Sequence, residues 1–120
     1  MNARDPRLYV ESAGAGAPLV LLHGFAMHGG IFEPLLPALS TRYRVHVVDL
    51  PGHGRSAPGD ADDLASLAQA VAAALPDMDE PATLLGWSLG GQVALQMATA
   101  HPSRIRRLVL VATSPAFVRR

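Results

Sequence analysis

The residues Gly86-Trp87-Ser88-Leu89-Gly90 form a Gly-x-Ser-x-Gly, with an apolar run before it and a helical pattern after it. A serine hydroxyl is a weak nucleophile until a base takes its proton and a third group orients that base. Where a buried strand turns sharply into a helix, such a serine projects above the sheet. The flanking glycines then remove side chains that would collide with the neighbouring strand and helix. The start of the helix also directs backbone N–H groups, Leu89's first, at an oxyanion formed beside Ser88. A serine helix cap is the plain structural alternative, and it explains neither glycine.

A second polar turn, His23-Gly24-Phe25, follows the apolar run "PLVLLHG". A backbone N–H just after this turn is a second candidate oxyanion donor, and Phe25 offers both that amide and a ring for an apolar acyl group. In that reading His23 is structural, its ring hydrogen-bonding the surrounding loops. The stretch "DLPGHGRS" (Asp49 to Ser56) lacks the Gly-Lys-Ser/Thr ending of a phosphate loop, and its glycines are not spaced as a dinucleotide fingerprint. It is expected to be a tight loop holding the site, with Asp49 and Arg55 as a buried or half-buried pair and His53 as a loop histidine. The five histidines are not spaced as helix-borne ligand pairs and there is no cysteine, so neither a metal nor another cofactor is expected.

These turns need a scaffold. "RLYVESAG" (Arg7 to Gly14) alternates weakly and predicts an edge strand entering a hairpin. Pro18–Gly24, Tyr43–Asp49, Ala82–Ser88 and Arg107–Pro115 are short apolar runs, as expected of strands buried on both faces of a parallel sheet. Between them, Ile31, Phe32, Leu35, Leu36 and Leu39 recur at helical spacing, confined by Pro34 and Pro37. Asp60 to Asp63 supply a cap and first-turn acids to a helix with Leu64, Leu67, Ala68, Val71 and Leu75 on one face, stopped by Pro76. A further helix turns Leu89, Val93, Met97 and Ala98 inward and ends before Pro102. Strand and helix alternate four times, which predicts a doubly wound α/β sheet. In such a sheet ligands bind at the carboxyl ends of the strands, where His23–Phe25, Asp49–Ser56, Gly86–Gly91 and Thr113–Pro115 fall.

Composition agrees with one core-rich globular unit: 120 residues, 49% hydrophobic and 17% charged. A formal net charge of zero gives no electrostatic reason to expect nucleic acid or a membrane surface as partner. The N-terminus has no apolar signal region and no run reaches the length of a membrane span, so a cytoplasmic protein is expected.

"LVLLHGF", "VHVVDLPGHGRS" and "LLGWSLGGQVALQMATAHPSRIRRLVLVATSP" resemble the α/β-hydrolase superfamily in order, spacing and context over nearly the whole chain. The resemblance implies a mostly parallel α/β-hydrolase sheet with flanking helices, ending here after the strand that follows the nucleophile helix. Residues 1–120 then read as the N-terminal portion of a single hydrolase domain. It also implies Ser88 as catalytic nucleophile, substrate held by Phe25, Ser88 and Leu89, and an acyl-enzyme cleaved by water. "GWSLGG" with "LVLVATSPAFVRR" is most similar to the carboxylesterases of biotin synthesis. That likeness implies an acyl-carrier-protein-linked ester, the pimeloyl methyl ester, or a small ester as substrate, with Phe25 and Trp87 flanking an apolar acyl channel. A lactonase, a general carboxylesterase, a haloperoxidase and a non-catalytic half-fold module are the other readings.

In this superfamily the acid and the histidine follow the serine in the chain. After Ser88 these 120 residues hold one histidine, His101, and no Asp or Glu occurs after Glu80. At ~1.5 Å per residue the intervening helix puts His101 roughly 20 Å away. The acid, the histidine and the cap are thus expected outside these residues, and Arg104, Arg106, Arg107, Arg119 and Arg120 are not expected to replace a cap surface. The last strand is expected to expose an unpaired edge. The 120 residues alone are expected to be inactive and poorly soluble or oligomeric, and the full-length form monomeric.

Overall fold

The computed structural model describes residues 8–54, 56 and 63–112. The most apolar run becomes β2 (Ala17–Leu22), with Leu19 to Leu22 buried. It takes the centre of a five-stranded sheet of order β1-β3-β2-β4-β5. Its neighbours β3 (Tyr43–Val48) and β4 (Ala82–Trp87) both run parallel to it, and β5 (Ile105–Val111) extends the sheet parallel to β4. On one face, α2 (Leu64–Ala74) and α3 (Leu89–Ala100) close a core containing Val20, Leu22, Val48, Val71, Leu84 and Val93. On the other, Leu19, Leu21, Val45 and Val47 pack under Phe32. Both faces of β2 and β3 are therefore covered, which accounts for their near-continuous apolar sequence.

β1 (Val10–Ala13) is an edge strand, as expected, but it forms no hairpin with β2. It pairs antiparallel with β3, from Val10↔Val48 to Ala13↔Val45. The half-exposed VESA tolerates an edge, whereas a strand buried on both faces takes two neighbours. The connection crosses the entry to β3 on Gly14 and Gly16, at φ 83° and 125°, a conformation open to glycine. On the same sheet Ser12 Oγ and His46 Nδ1, from register partners, lie 2.7 Å apart.

β5 also departs from expectation. It is not buried on both faces: Val109, Leu110 and Val111 are 38%, 39% and 45% exposed, because β4 is its one strand neighbour among the described residues. β4, paired on both sides with β2 and β5, alternates buried and half-buried positions, so one of its faces is less covered than the other. The helical spacing at 31–39 resolves into a 3-10 helix, Gly29–Leu35, with Pro34 inside it, followed by the four-residue α1 (Leu36–Leu39). Of its five apolar residues only Phe32 is fully buried. α2 begins at Asp63, whose side chain accepts from the Ser66 N–H at 2.7 Å, and ends at Leu75 before Pro76. Residues 60–62, read as part of its first turn, lie outside the described residues. α3 buries Val93 and Met97 as expected, with Leu89 and Ala98 half-buried. Among the described residues no helix is long and apolar enough to cross a membrane.

Candidate active site

The turn between β4 and α3 puts Ser88 at φ 57°, ψ −115°, with no side-chain cap hydrogen bond. The helix-cap alternative therefore does not describe Ser88. A non-glycine residue at such dihedrals costs of order 1–3 kcal/mol and persists where its surroundings hold it. Both glycines of the pentapeptide are part of that hold. A Cβ on Gly86 would lie 2.5 Å from Gly91 Cα, and one on Gly90 would lie 2.5 Å from the Leu22 carbonyl carbon and 2.6 Å from His23 O. Strand, turn and helix approach this closely only without those side chains. The third hold comes from the next strand, as Ser88 N–H donates to Val111 O at 2.9 Å. That bond commits the serine's own amide. Leu89, the first residue of α3, then has the first amide with no acceptor inside the helix.

Among the described residues, three non-glycines have positive φ: Ala26 (63°), Ser88 (57°) and Ala112 (52°). They lie just past the carboxyl ends of β2, β4 and β5, the sheet end at which a doubly wound fold binds ligands. The turn after β2 comes against the serine there. A Cβ on Gly24 would sit 3.4 Å from Ser88 Cβ and 3.3 Å from Trp87 O. Phe25 follows, 73% exposed, with its ring 5.7 Å from the His53 ring in an edge-to-face arrangement. Trp87 is half-buried at the end of β4. The turn thus brings together His23, Gly24, Phe25, Trp87, Ser88 and Leu89.

His23 is fully buried and structural, as expected. Leu50 N–H donates to its Nε2 at 2.9 Å, and its Nδ1 lies 2.7 Å from Gly24 O. A carbonyl only accepts and an amide N–H only donates, so Nδ1 carries the proton and the ring is neutral. Burial lowers its pKa below the ordinary 6.5; the Gly24 bond opposes this, and the neighbouring His53 adds to it. The loop after β3 is a clasp. Asp49 accepts from Gly29 N–H at 2.6 Å, and Ser56 Oγ bonds both Asp49 O and Tyr9 N–H, at 2.5 and 2.7 Å. The expected Asp49–Arg55 pair involves Arg55, outside the described residues, as is the strand-end Thr113–Pro115. His53 is a loop histidine whose Nδ1 lies 3.0 Å from Pro51 O.

His28 was not singled out by its sequence. Its Nδ1 accepts from Gly30 N–H at 3.0 Å and caps the 3-10 helix. The signal is a short-range side-chain acceptor two residues before an apolar turn, a pattern that histidine shares weakly with Asn and Asp. His101 closes the far end of α3, as expected. A cleft of about 1210 Å³ lies elsewhere, lined by Leu75, Met78, Glu80, His101 and Arg104 among others, and includes none of the residues around Ser88.

A strained serine on a strand-to-helix turn, over the carboxyl end of a parallel sheet, defines a nucleophile-elbow hydrolase fold. The chain belongs to the alpha/beta hydrolase fold family, whose model matches residues 17–119. It is 52% identical over 113 residues to the pimeloyl-[acyl-carrier protein] methyl ester esterase of Aeromonas hydrophila, covering 92% of this chain and 43% of that protein. To the esterase of the same name from Nitrosomonas europaea it is 46% identical over 113 residues, covering 94% and 44%. Among solved structures, a marine microorganism esterase superposes with a TM-score of 0.88 at 26% identity, over 95% of this chain and 44% of the other. The chain thus spans less than half the length of the curated relatives it matches.

Proposed function

We propose that Ser88 is the nucleophile of a serine carboxylesterase that cleaves the methyl ester of pimeloyl-acyl carrier protein in biotin synthesis. The observation that carries the nucleophile is the φ of 57° at a serine whose side chain makes no cap hydrogen bond to its helix. The support for the substrate is the shared name of the two relatives at 46% and 52% identity.

In the proposed reaction a base takes the Ser88 proton as Oγ attacks the ester carbonyl carbon. The amides of Phe25 and Leu89 hold the resulting oxyanion. The carbon–oxygen bond to the methoxy group breaks, methanol leaves with that proton, and water then releases the acid and restores the serine. Phe25 and Trp87 flank the acyl chain. We place the enzyme in the cytoplasm, without a cofactor and as a monomer in its full-length form.

After Ser88 these residues supply one histidine, at the wrong end of α3, and no acid. Without a base and an acid, residues 1–120 by themselves are therefore expected to turn over the ester about 10⁶-fold more slowly than an esterase with a complete triad. The test is growth of a biotin-requiring strain that lacks the esterase. The complete reading frame restores growth and its Ser88→Ala form does not. Growth supported by Ser88→Ala contradicts the nucleophile, and faster hydrolysis of a lactone than of the pimeloyl methyl ester contradicts the substrate.

A further inference from the structure

Three acceptors hold the segment between Gly24 and Gly30, and two of them are imidazole nitrogens. Leu50 N–H donates to His23 Nε2 at 2.9 Å, Gly30 N–H to His28 Nδ1 at 3.0 Å, and Gly29 N–H to Asp49 Oδ1 at 2.6 Å. An imidazole nitrogen accepts only while it is unprotonated. Each of the two histidine bonds therefore exists in one charge state. We propose that His23 is an acid-sensitive latch, which fastens the Phe25 segment to the loop after β3 while its ring is neutral and releases it when the ring takes up a proton.

A proton on His23 Nε2 would face the Leu50 N–H, two donors with no acceptor between them inside a fully buried pocket. His23 is charged only once the segment has moved. The surrounding groups set how readily that happens. Asp49, at the end of β3, favours the charge, while His53 on the following loop and His28 at the 3-10 helix oppose it.

The direction in pH follows. Closure holds the His23 pKa below 6.5, so the latch is fully fastened above that pH. It weakens as pH falls below it, because the open form binds a proton that the closed form refuses. Each such proton shifts the opening equilibrium by up to about tenfold per pH unit. His46, also lowered by burial and then by Arg44, acts in the same direction on the whole sheet from its place on β3. The latch differs by opening before the sheet does. Its effect on catalysis, withdrawal of the Phe25 amide, rests on the oxyanion role proposed above; the latch itself does not.

The experiment is amide hydrogen exchange on the 120-residue chain, corrected for intrinsic rates, from about pH 7.5 down to about pH 5. Protection at Leu50 and Gly29 is expected to fall at least about tenfold more than at Val20 and Leu84 in the sheet centre. His28→Asn, a surface change whose side chain can accept the same Gly30 bond, is expected to leave the fall at Leu50 intact, because His23 holds that amide. Protection at Leu50 and Gly29 that stays flat, or that falls in step with Val20 and Leu84, overturns the latch. Loss of the fall at Leu50 in His28→Asn would contradict His23 as the group that releases the segment.

Discussion

At Ser88 the backbone occupies dihedrals that glycine would adopt more cheaply, and it is held there by Val111 O and by contacts that glycines at 86 and 90 permit. A serine kept at such dihedrals without a side-chain cap hydrogen bond points to what its hydroxyl does. Ser88→Gly is accordingly expected to raise unfolding stability by about 1 kcal/mol in urea, by relieving the positive φ, while Ser88→Ala keeps the strain and gives no such gain. Equal stability of all three forms would show that the turn is not strained. This much was legible from five residues, because both glycines and the serine have steric reasons to stand together. The roles of His28 and Asp49 were less legible. Each acts through one hydrogen bond to a backbone amide, Gly30 and Gly29 respectively, and nothing in residue type marks an amide 20 positions away as the partner of Asp49.

Among the elements, the central strands were readable and the edges were not. β2 and β3 announce themselves by unbroken apolar runs, since two covered faces leave no polar position. β1 has the same local pattern whether it pairs with β2 or with β3, and the sheet order is settled by where the longer buried strands fit. β5 shows the converse: IRRLVLV is composed as an interior strand and sits here with its side chains half open to solvent. An apolar edge with unpaired N–H and C=O groups invites a second chain. Residues 1–120 are expected to self-associate in sedimentation velocity, and Val109→Lys, a charge on that edge, to shift them toward monomer. Association unchanged by Val109→Lys would place the contact on another surface.

Across the whole molecule, chemistry gathers at one end of the sheet. The strained residues after β2, β4 and β5, the buried neutral His23 and the Asp49 clasp all lie beyond carboxyl strand ends. The cleft lined by Leu75, His101 and Arg104 contains none of them. The fold sets a serine at positive φ among these turns, and residues 89–120 hold one histidine, at the far end of α3, and no Asp or Glu. The central claim, that Ser88 forms the covalent intermediate, is open to one direct measurement. The complete reading frame is mixed with pimeloyl-acyl carrier protein methyl ester, quenched within a turnover, digested and weighed by mass spectrometry. The account predicts an acyl adduct on the peptide containing Ser88, absent in Ser88→Ala. An adduct on any other residue, or turnover undiminished in Ser88→Ala, would contradict it.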